Sequence, residues 1–227
     1  MMRKFKTPLP GVVIHNSVSL DGSLLGFDVD MQEHYKIAGT YKPDVHLIGS
    51  NTVKAGMEMY EKRIPGEEQG DFVKPKRDKS LPFWVIPDTK GKLKGLLHIC
   101  RRFEFCRDVV ILASEKTPRN YLHYLRERNY DCHIAGTEKV DYLRALRILA
   151  KKYKAKTVLT DTGMILNCIL LDGGLVDEIS LLFHPVIVGA KKQFNMFRKL
   201  NKNLDLELIK SRKISGNKLW MVYKVKR

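Results

Sequence analysis

The chain has 227 residues and a mass of 26.2 kDa, a size that fits one large domain or a tight pair. Its composition is 44% hydrophobic and 9% aromatic, enough to build a continuous core, which excludes a wholly disordered or fibrous chain. Lys and Arg total 41 against 25 Asp and Glu, a formal charge of +16 that favours an anionic partner, either nucleic acid or a phosphorylated small molecule with its cofactor.

The positive charge is spread in short clusters, as at Lys74, Lys76, Arg77 and Lys79, so charge alone does not choose between those partners. No apolar run approaches the roughly 18 to 20 residues a membrane helix needs, since the richest, residues 164–171, is interrupted by Asn167 and Cys168. The basic start of the chain runs into Thr7-Pro8-Leu9-Pro10 with no apolar stretch. A secretion signal is not expected, and the cytoplasm is the simplest compartment.

In chain order, Val12-Val13-Ile14 reads as a strand followed by a turn at Asp21-Gly22, and residues 31–41 as a helix. Val45 to Ile48, Phe83 to Ile86 and Val109 to Leu112 are short continuous apolar runs, the pattern of strands buried on both faces. The charged, Gly- and Pro-containing stretch 58–82 reads as a long surface loop, a kind of segment that is often functional. Thr117 and Pro118 open the next helix as cap and first residue, and Asp141 caps the one after it. Residues 156–160 form a further strand and 164–171 a short buried helix. Four closely spaced strands follow, at 179–183, 186–188, 206–213 and 219–225. The whole is an α/β chain whose mostly parallel sheet ends in antiparallel strands.

Some chemistries are excluded. The sequence has no G-x-G-x-x-G, no P-loop, no G-x-S-x-G and no H-E-x-x-H. The zinc-deaminase pair of motifs is also missing. The four cysteines form no C-x-x-C pair and read as buried thiols. The seven histidines never fall at metal-ligand spacing, and His15, His46, His98, His133 and His184, in apolar surroundings, read as hydrogen-bonded core or edge residues.

Three strand ends do carry polar turns. They are Ser19-Leu20-Asp21-Gly22, Gly49-Ser50-Asn51-Thr52 and Thr160-Asp161-Thr162-Gly163. Each is open to a plain reading, a tight turn at Asp21-Gly22 and helix caps at Ser50 and Asn51. Three phosphate-friendly bends exceed what capping requires, and together they favour a nucleotide-like cofactor across the carboxyl ends of the strands.

The run Leu170-Leu171-Asp172-Gly173-Gly174-Leu175-Val176-Asp177-Glu178, followed by His184-Pro185-Val186-Ile187-Val188-Gly189, closely resembles the reductase domain of the riboflavin-biosynthesis deaminase/reductase family. It is equally similar to stand-alone diaminopyrimidine reductases. The Ser19-to-Gly22 turn, Gly49 with Thr52, and Val85-Ile86-Pro87-Asp88-Thr89-Lys90-Gly91 follow in that family's order. The resemblance covers about residues 10 to 225. It implies a single dihydrofolate-reductase-like domain over 1–227, a three-layer sandwich with helices on both faces of the sheet.

The resemblance also implies NADPH as hydride donor, a phosphorylated small-molecule substrate and a homodimer, with no nucleic-acid or membrane partner. The implied reaction turns the ribosyl chain of a 5-phosphoribosylamino-pyrimidine, either the diamino-pyrimidinone or the aminouracil, into ribityl. By the same resemblance Val18, Gly49 and Thr52 meet the cofactor, and Gly163, Met164, Ile165 and Leu166 lie along its pyrophosphate. Ser114 reaches the 2′-phosphate, with Lys90 or Lys116 adding charge there. Asp21 lies near the reacting centre, Asp161 replaces a substrate-binding Glu, and Arg63 stands about where an arginine grips the substrate phosphate.

Two departures stand on the substrate side as much as on the cofactor side. The family's T-x-x-x-D-D-P becomes Thr52 to Glu58, with Gly56 where an aspartate is expected at the cofactor, and Glu-Gly-Gly becomes Asp161-Thr162-Gly163. They motivate a second expectation, a dihydrofolate-reductase-like NADPH enzyme of different substrate. A basic nucleic-acid-binding protein is a third, without an aromatic-interleaved basic motif to support it.

Overall fold

The computed structural model describes residues 8–60, 64–189 and 194–226. Two compact units account for them, one of residues 8–10 and 43–158, the other of 11–42 and 159–226.

The first unit is built on β2 (Val45–Leu47), β3 (Phe83–Pro87), β4 (Val109–Ala113) and β5 (Asp131–Ile134), hydrogen-bonded in the order β5-β4-β3-β2 with every pair parallel. All five residues of β4 are buried, which is why its sequence is apolar without alternation. The helices are α2 (Ser50–Tyr60), α3 (Leu97–Arg102), α4 (Arg119–Glu127) and α5 (Tyr142–Tyr153). Ile86, Val109 and Ile111 pack in one cluster with Val53, Leu97 and Tyr121 from those helices.

The Asp141 side chain caps α5 as expected, accepting from the Arg144 N–H at 3.0 Å. Thr117 does not cap α4. Pro118 takes the cap position, and the Thr117 hydroxyl instead accepts from the Ser114 N–H at 2.9 Å, closing the turn after β4. Likewise Ser50 and Asn51 lie inside the first turn of α2, and the Gly49 carbonyl accepts the first helical bond, from Val53. The half-buried strand β5 and the six-residue α3 were not legible as apolar runs, because both are short and carry charged or polar residues.

The described part of the 58–82 stretch is strapped down rather than loose. Residues Gln69–Phe72 form a 3₁₀ turn, and the Asp71 carboxylate accepts from Arg102 Nε at 2.8 Å and Nη2 at 2.6 Å. Glu67 accepts from Arg128 Nε at 2.9 Å and from the Tyr124 hydroxyl. The nearly inaccessible Arg101 pairs with Asp108 at 2.9 Å and donates to the Asp71, Arg128 and Asn129 carbonyls. A buried guanidinium with its donors used this way organises the strap and discriminates against other packings more than it adds net stability.

The second unit orders its strands β6-β1-β7-β9-β8. These are β1 (Gly11–Ser19), β6 (Thr157–Thr160, whose last two residues belong here), β7 (Glu178–His184), β8 (Leu206–Ile214) and β9 (Lys218–Val225). β1 and β7 are parallel, while β7–β9 and β9–β8 are antiparallel, so the expected change to antiparallel strands at the C-terminus is present. Gly216 and Asn217 take φ of +69° and +56° between β8 and β9, a left-handed pair that matches the twist of a tight hairpin.

Helices α1 (Met31–Thr40) and α6 (Met164–Asp172) complete the unit. Residues 186–188 are not a strand. Their backbone is turned to other partners, the Val186 carbonyl accepting from Leu20 and the Val188 N–H donating to Asp21.

Gly136 has φ of +126°, and a Cβ there would collide with the Lys139 carbonyl oxygen. Gly136→Ala is expected to cost about 2 kcal/mol by denaturant unfolding, the scale of one strained backbone position. An unchanged midpoint and slope would show that this loop yields freely.

Candidate active site

In the second unit, β1 carries four buried polar residues, His15, Asn16, Ser17 and Ser19, in an otherwise apolar strand. Such residues persist in a core only when bonded. Asn16 Nδ2 donates to the Asp161 and Thr162 carbonyls, both at 3.2 Å. Its own oxygen accepts from Asn167 Nδ2 at 2.9 Å, and Asn167 also donates to the Thr162 carbonyl at 3.1 Å. The two amides thus fix the backbone of the bend between β6 and α6.

Gly163 ends that bend in extended backbone as the N-cap of α6, with no side chain capping the helix. Met164 and Leu166 are buried and Ile165 is half exposed, so the first turn offers an anion its N–H groups rather than side-chain donors.

Asp161 projects from the same bend. Its Oδ2 lies 3.5 Å from His34 Nε2, and both side chains are nearly buried, at 10% and 7% exposure. α1 holds His34 in place. The Asp30 side chain caps the helix by accepting from Glu33 at 3.0 Å and also accepts from Lys218 at 2.6 Å, and the Asp30 N–H donates to His184 Nε2 at 3.2 Å.

Behind His34 the direction of each hydrogen bond can be read from the groups that have no choice. The His34 carbonyl can only accept, so His15 Nε2 carries a proton and donates to it at 3.1 Å. Burial, reinforced by the neighbouring His34, pushes the His15 pKa down to about 3, so the ring is neutral and its Nδ1 is an acceptor. The Ser180 hydroxyl donates to that Nδ1 at 3.0 Å, and the same oxygen accepts from the Trp220 indole at 2.9 Å. The sequence reading of His15 as a satisfied core histidine holds.

Asp21, at the tip of β1, accepts from the Ser19 hydroxyl at 2.6 Å, from the Gly189 N–H at 3.0 Å and from the Val188 N–H at 3.2 Å. These bonds, the Ser19 one foremost, lower its pKa to about 2. It is ionised at neutral pH and fastens the segment after β7, with no proton of its own to give. Val18, one turn back, is buried in β1 beside Phe183 of β7 and has only its backbone to offer a ligand.

In the first unit, Gly49 and Thr52 open α2, where Asn51 accepts from Lys92 at 2.7 Å. The Asp88 carboxylate organises the turn after β3 by accepting from the Lys92 and Leu93 N–H groups. Ser114 ends β4 fully buried, and its hydroxyl has no hydrogen-bond partner. Lys90 and Lys116 are exposed, Lys116 within 3.7 Å of Glu138. Arg63 lies outside the described residues. Among the described residues, no three of His, Cys, Asp and Glu gather as a metal ion would require.

The family model of the RibD C-terminal domain matches residues 10–219. The chain belongs to that family. A 2,5-diamino-6-ribosylamino-4(3H)-pyrimidinone 5′-phosphate reductase of Aquifex aeolicus is 28% identical over 226 residues, covering 92% of this chain and 94% of its own length. Among solved structures, RibD of Acinetobacter baumannii matches with a TM-score of 0.66 at 18% identity over 96% of this chain, which spans 58% of that longer protein. A pyrimidine reductase-like protein of Corynebacterium diphtheriae gives a TM-score of 0.70 at 18% identity, with 96% and 92% of the two chains covered. A dihydrofolate reductase of Enterococcus faecalis complexed with NADP(H) gives 0.53 at 8% identity, covering 98% and 99%. The fold is the dihydrofolate-reductase-like one that the sequence resemblance implied.

In this RibD C-terminal domain, Asp161 and Gly163 share the bend that leads into the first turn of α6 with Met164, Ile165 and Leu166, and Val18 on β1 and Asp21 in the turn after it belong to the same unit. Gly49, Thr52 and Ser114 belong to the other unit. Sequence reasoning missed His34, Asn16 and Asn167. The available signals were a polar pair inside an apolar strand and an asparagine inside an apolar helix. His34 gave none, because its partner is 127 positions away in the chain.

Proposed function

We propose that this chain reduces 2,5-diamino-6-ribosylamino-4(3H)-pyrimidinone 5′-phosphate, or its aminouracil analogue, with NADPH as hydride donor, forming the ribityl product in riboflavin biosynthesis. The observation that carries this reading is the family match over residues 10–219, joined to a nearly full-length relative named for that reaction. The local geometry fits the cofactor. The uncapped α6 N-terminus behind Gly163 suits a pyrophosphate, and contacts there run through the backbone of Met164, Ile165 and Leu166. NADPH, when bound, supplies the hydride.

The protein's own share is orientation and electrostatics. The sugar must open to an imine whose nitrogen gains positive character as C1′ becomes electrophilic. The Asp161 carboxylate, held at both its backbone and its side chain, is placed to accept a hydrogen bond from that nitrogen or from a sugar hydroxyl. Asp21 stays an anionic strut that shapes the loop after β7. Val18, Gly49, Thr52 and Ser114 complete the cofactor contacts in this reading, with Ser114 Oγ turning from its buried position to meet the 2′-phosphate. Arg63 is read as the grip on the substrate phosphate.

The direct test is oxidation of NADPH by the purified protein with each pyrimidine substrate. Turnover with neither, despite NADPH binding, would dispose of the pathway reading. NADPH at 100 times its Kd is expected to add roughly 2.7 kcal/mol of stability, and NADH far less at equal concentration. Equal melting shifts with both would remove the 2′-phosphate contact.

Asp161 in place of Glu favours a second reading, an enzyme of the same fold and cofactor with another substrate. Displacement of a bound pyrimidine by dihydrofolate would support it. We further read the enzyme as a cytoplasmic homodimer acting as one domain. No helix among the described residues is long and apolar enough to cross a membrane. The exposed Leu206, Leu208 and Ile209 on β8, the last strand in the order of the second unit, suit contact with a second copy. Sedimentation as a monomer at micromolar concentration would refute the dimer.

A further inference from the structure

The geometry points to His34 as a positioning residue that holds the Asp161 carboxylate in its working orientation, an inference that rests on the reductase reading.

Asp161 stands at the mouth of a bend, where a short acidic side chain has two torsions to choose. Its backbone is held by Asn16, which accounts for the carbonyl but leaves the carboxylate to be placed. A group that places it is the His34 imidazole, 3.5 Å from Oδ2. His34 is in turn held from three directions. Its N–H and carbonyl are fixed, by the Asp30 carbonyl at 2.9 Å and by His15 Nε2 at 3.1 Å. Its Nδ1 lies 3.0 Å from Ser17 Oγ. The His15 ring lies against it at 4.5 Å between centroids, and Tyr35 meets it edge-on at 5.1 Å. Of its two nitrogens, only Nε2 faces an acidic side chain.

The chemistry of each partner assigns the roles. His15 keeps its proton on Nε2 because that nitrogen faces the His34 carbonyl, and it serves as a fixed backstop to His34. A carboxylate oxygen can only accept, so the His34 nitrogen that faces Asp161, Nε2, is the one that carries a proton, and the rotatable Ser17 hydroxyl adapts to Nδ1. A carboxylate anchored this way needs no reorganisation when positive charge develops beside it. Displacing such a group by about 1 Å can cost on the order of 100-fold in rate.

The experiment compares wild type, His34→Leu and His34→Gln in steady-state turnover and in NADPH binding. His34→Leu is expected to lower kcat roughly 10- to 100-fold, with the NADPH dissociation constant unchanged. His34→Gln, whose amide can still donate to Oδ2, should recover most of the loss. A merely structural His34 would lower the melting temperature and NADPH affinity together and would not distinguish Leu from Gln.

A second readout needs neither substrate nor a His34 variant. In ¹⁵N spectra of the imidazoles, Asp161→Asn should move the Nε2 resonance of His34 and leave that of His15 in place. Wild-type kcat in a folded His34→Leu protein, or an unmoved His34 resonance in Asp161→Asn, overturns the inference. Absence of turnover in the wild type, with the resonance shift present, would sink the pyrimidine reading and leave the pairing standing.

Discussion

Asp161→Asn is expected to lower kcat with the pyrimidine substrate by roughly 100- to 1,000-fold while leaving NADPH affinity within a factor of about two. The change keeps size and shape and removes only the charge. The Asn16 bond to the residue 161 carbonyl does not depend on the side chain, so the bend and the α6 N-terminus that follows it should stay in place. What is lost is the acceptor facing developing positive charge in a nearly buried setting, where water does not screen it. Single-turnover measurement of nicotinamide oxidation separates this from slower product release. A variant that turns over at the wild-type rate would remove Asp161 from the reaction and leave it as a loop anchor.

The second large effect is on stability in acid. His15 is neutral in the fold with a pKa near 3, against 6.5 for an ordinary histidine. Between those two values the unfolded chain binds a proton there and the native protein does not. Stability therefore rises with pH across that window and falls as pH is lowered through it. The contribution is about 1.4 kcal/mol per pH unit, or on the order of 5 kcal/mol across the whole window.

Asp21 works in the same direction at lower pH. Its pKa is depressed to about 2, so the stability it contributes is complete above the ordinary 3.8 and is lost as pH falls towards 2. The two effects separate by mutation. His15→Gln retains a donor for the His34 carbonyl and an acceptor for Ser180, and should flatten the urea midpoint against pH between about 6.5 and 3. Parallel curves for variant and wild type would mean that His15 titrates alike in the folded and unfolded chain, against the burial that holds it neutral.

The elements that could be read from the chain are those whose pattern is local. β4 was legible because five consecutive buried positions admit only apolar residues, and α5 because Asp141 and an amphipathic stripe mark its start and inner face. The same local rules failed where a backbone group found a distant partner. Residues 186–188 have the composition of a strand, yet Leu20 and Asp21 take their carbonyl and N–H groups, so no ladder forms. Thr117 has the makings of a cap, but its hydroxyl serves the Ser114 N–H. The 58–82 stretch reads as a loop from its charges, and those same charges tie it to Arg101, Arg102 and Arg128.

For the site, the sequence alone determined the family, the order of strand-end turns, and the presence of an acidic residue and a glycine ahead of α6. Those features depend on residue types at fixed short spacing, which a linear string records completely. Only the tertiary structure decided that Asp21 is a saturated strut, that Asn16 and Asn167 brace the bend, and that His34 meets Asp161. Each of these includes a hydrogen bond or ion pair between residues far apart in the chain, Asp21 with Gly189, Asn16 with Asn167 and His34 with Asp161, and its existence depends on strand register and helix placement to within an ångström. The physical reason is range. Propensity and periodicity act over one or two turns, whereas the orientation of a buried carboxylate is set by whichever donors the folded chain brings within reach of it.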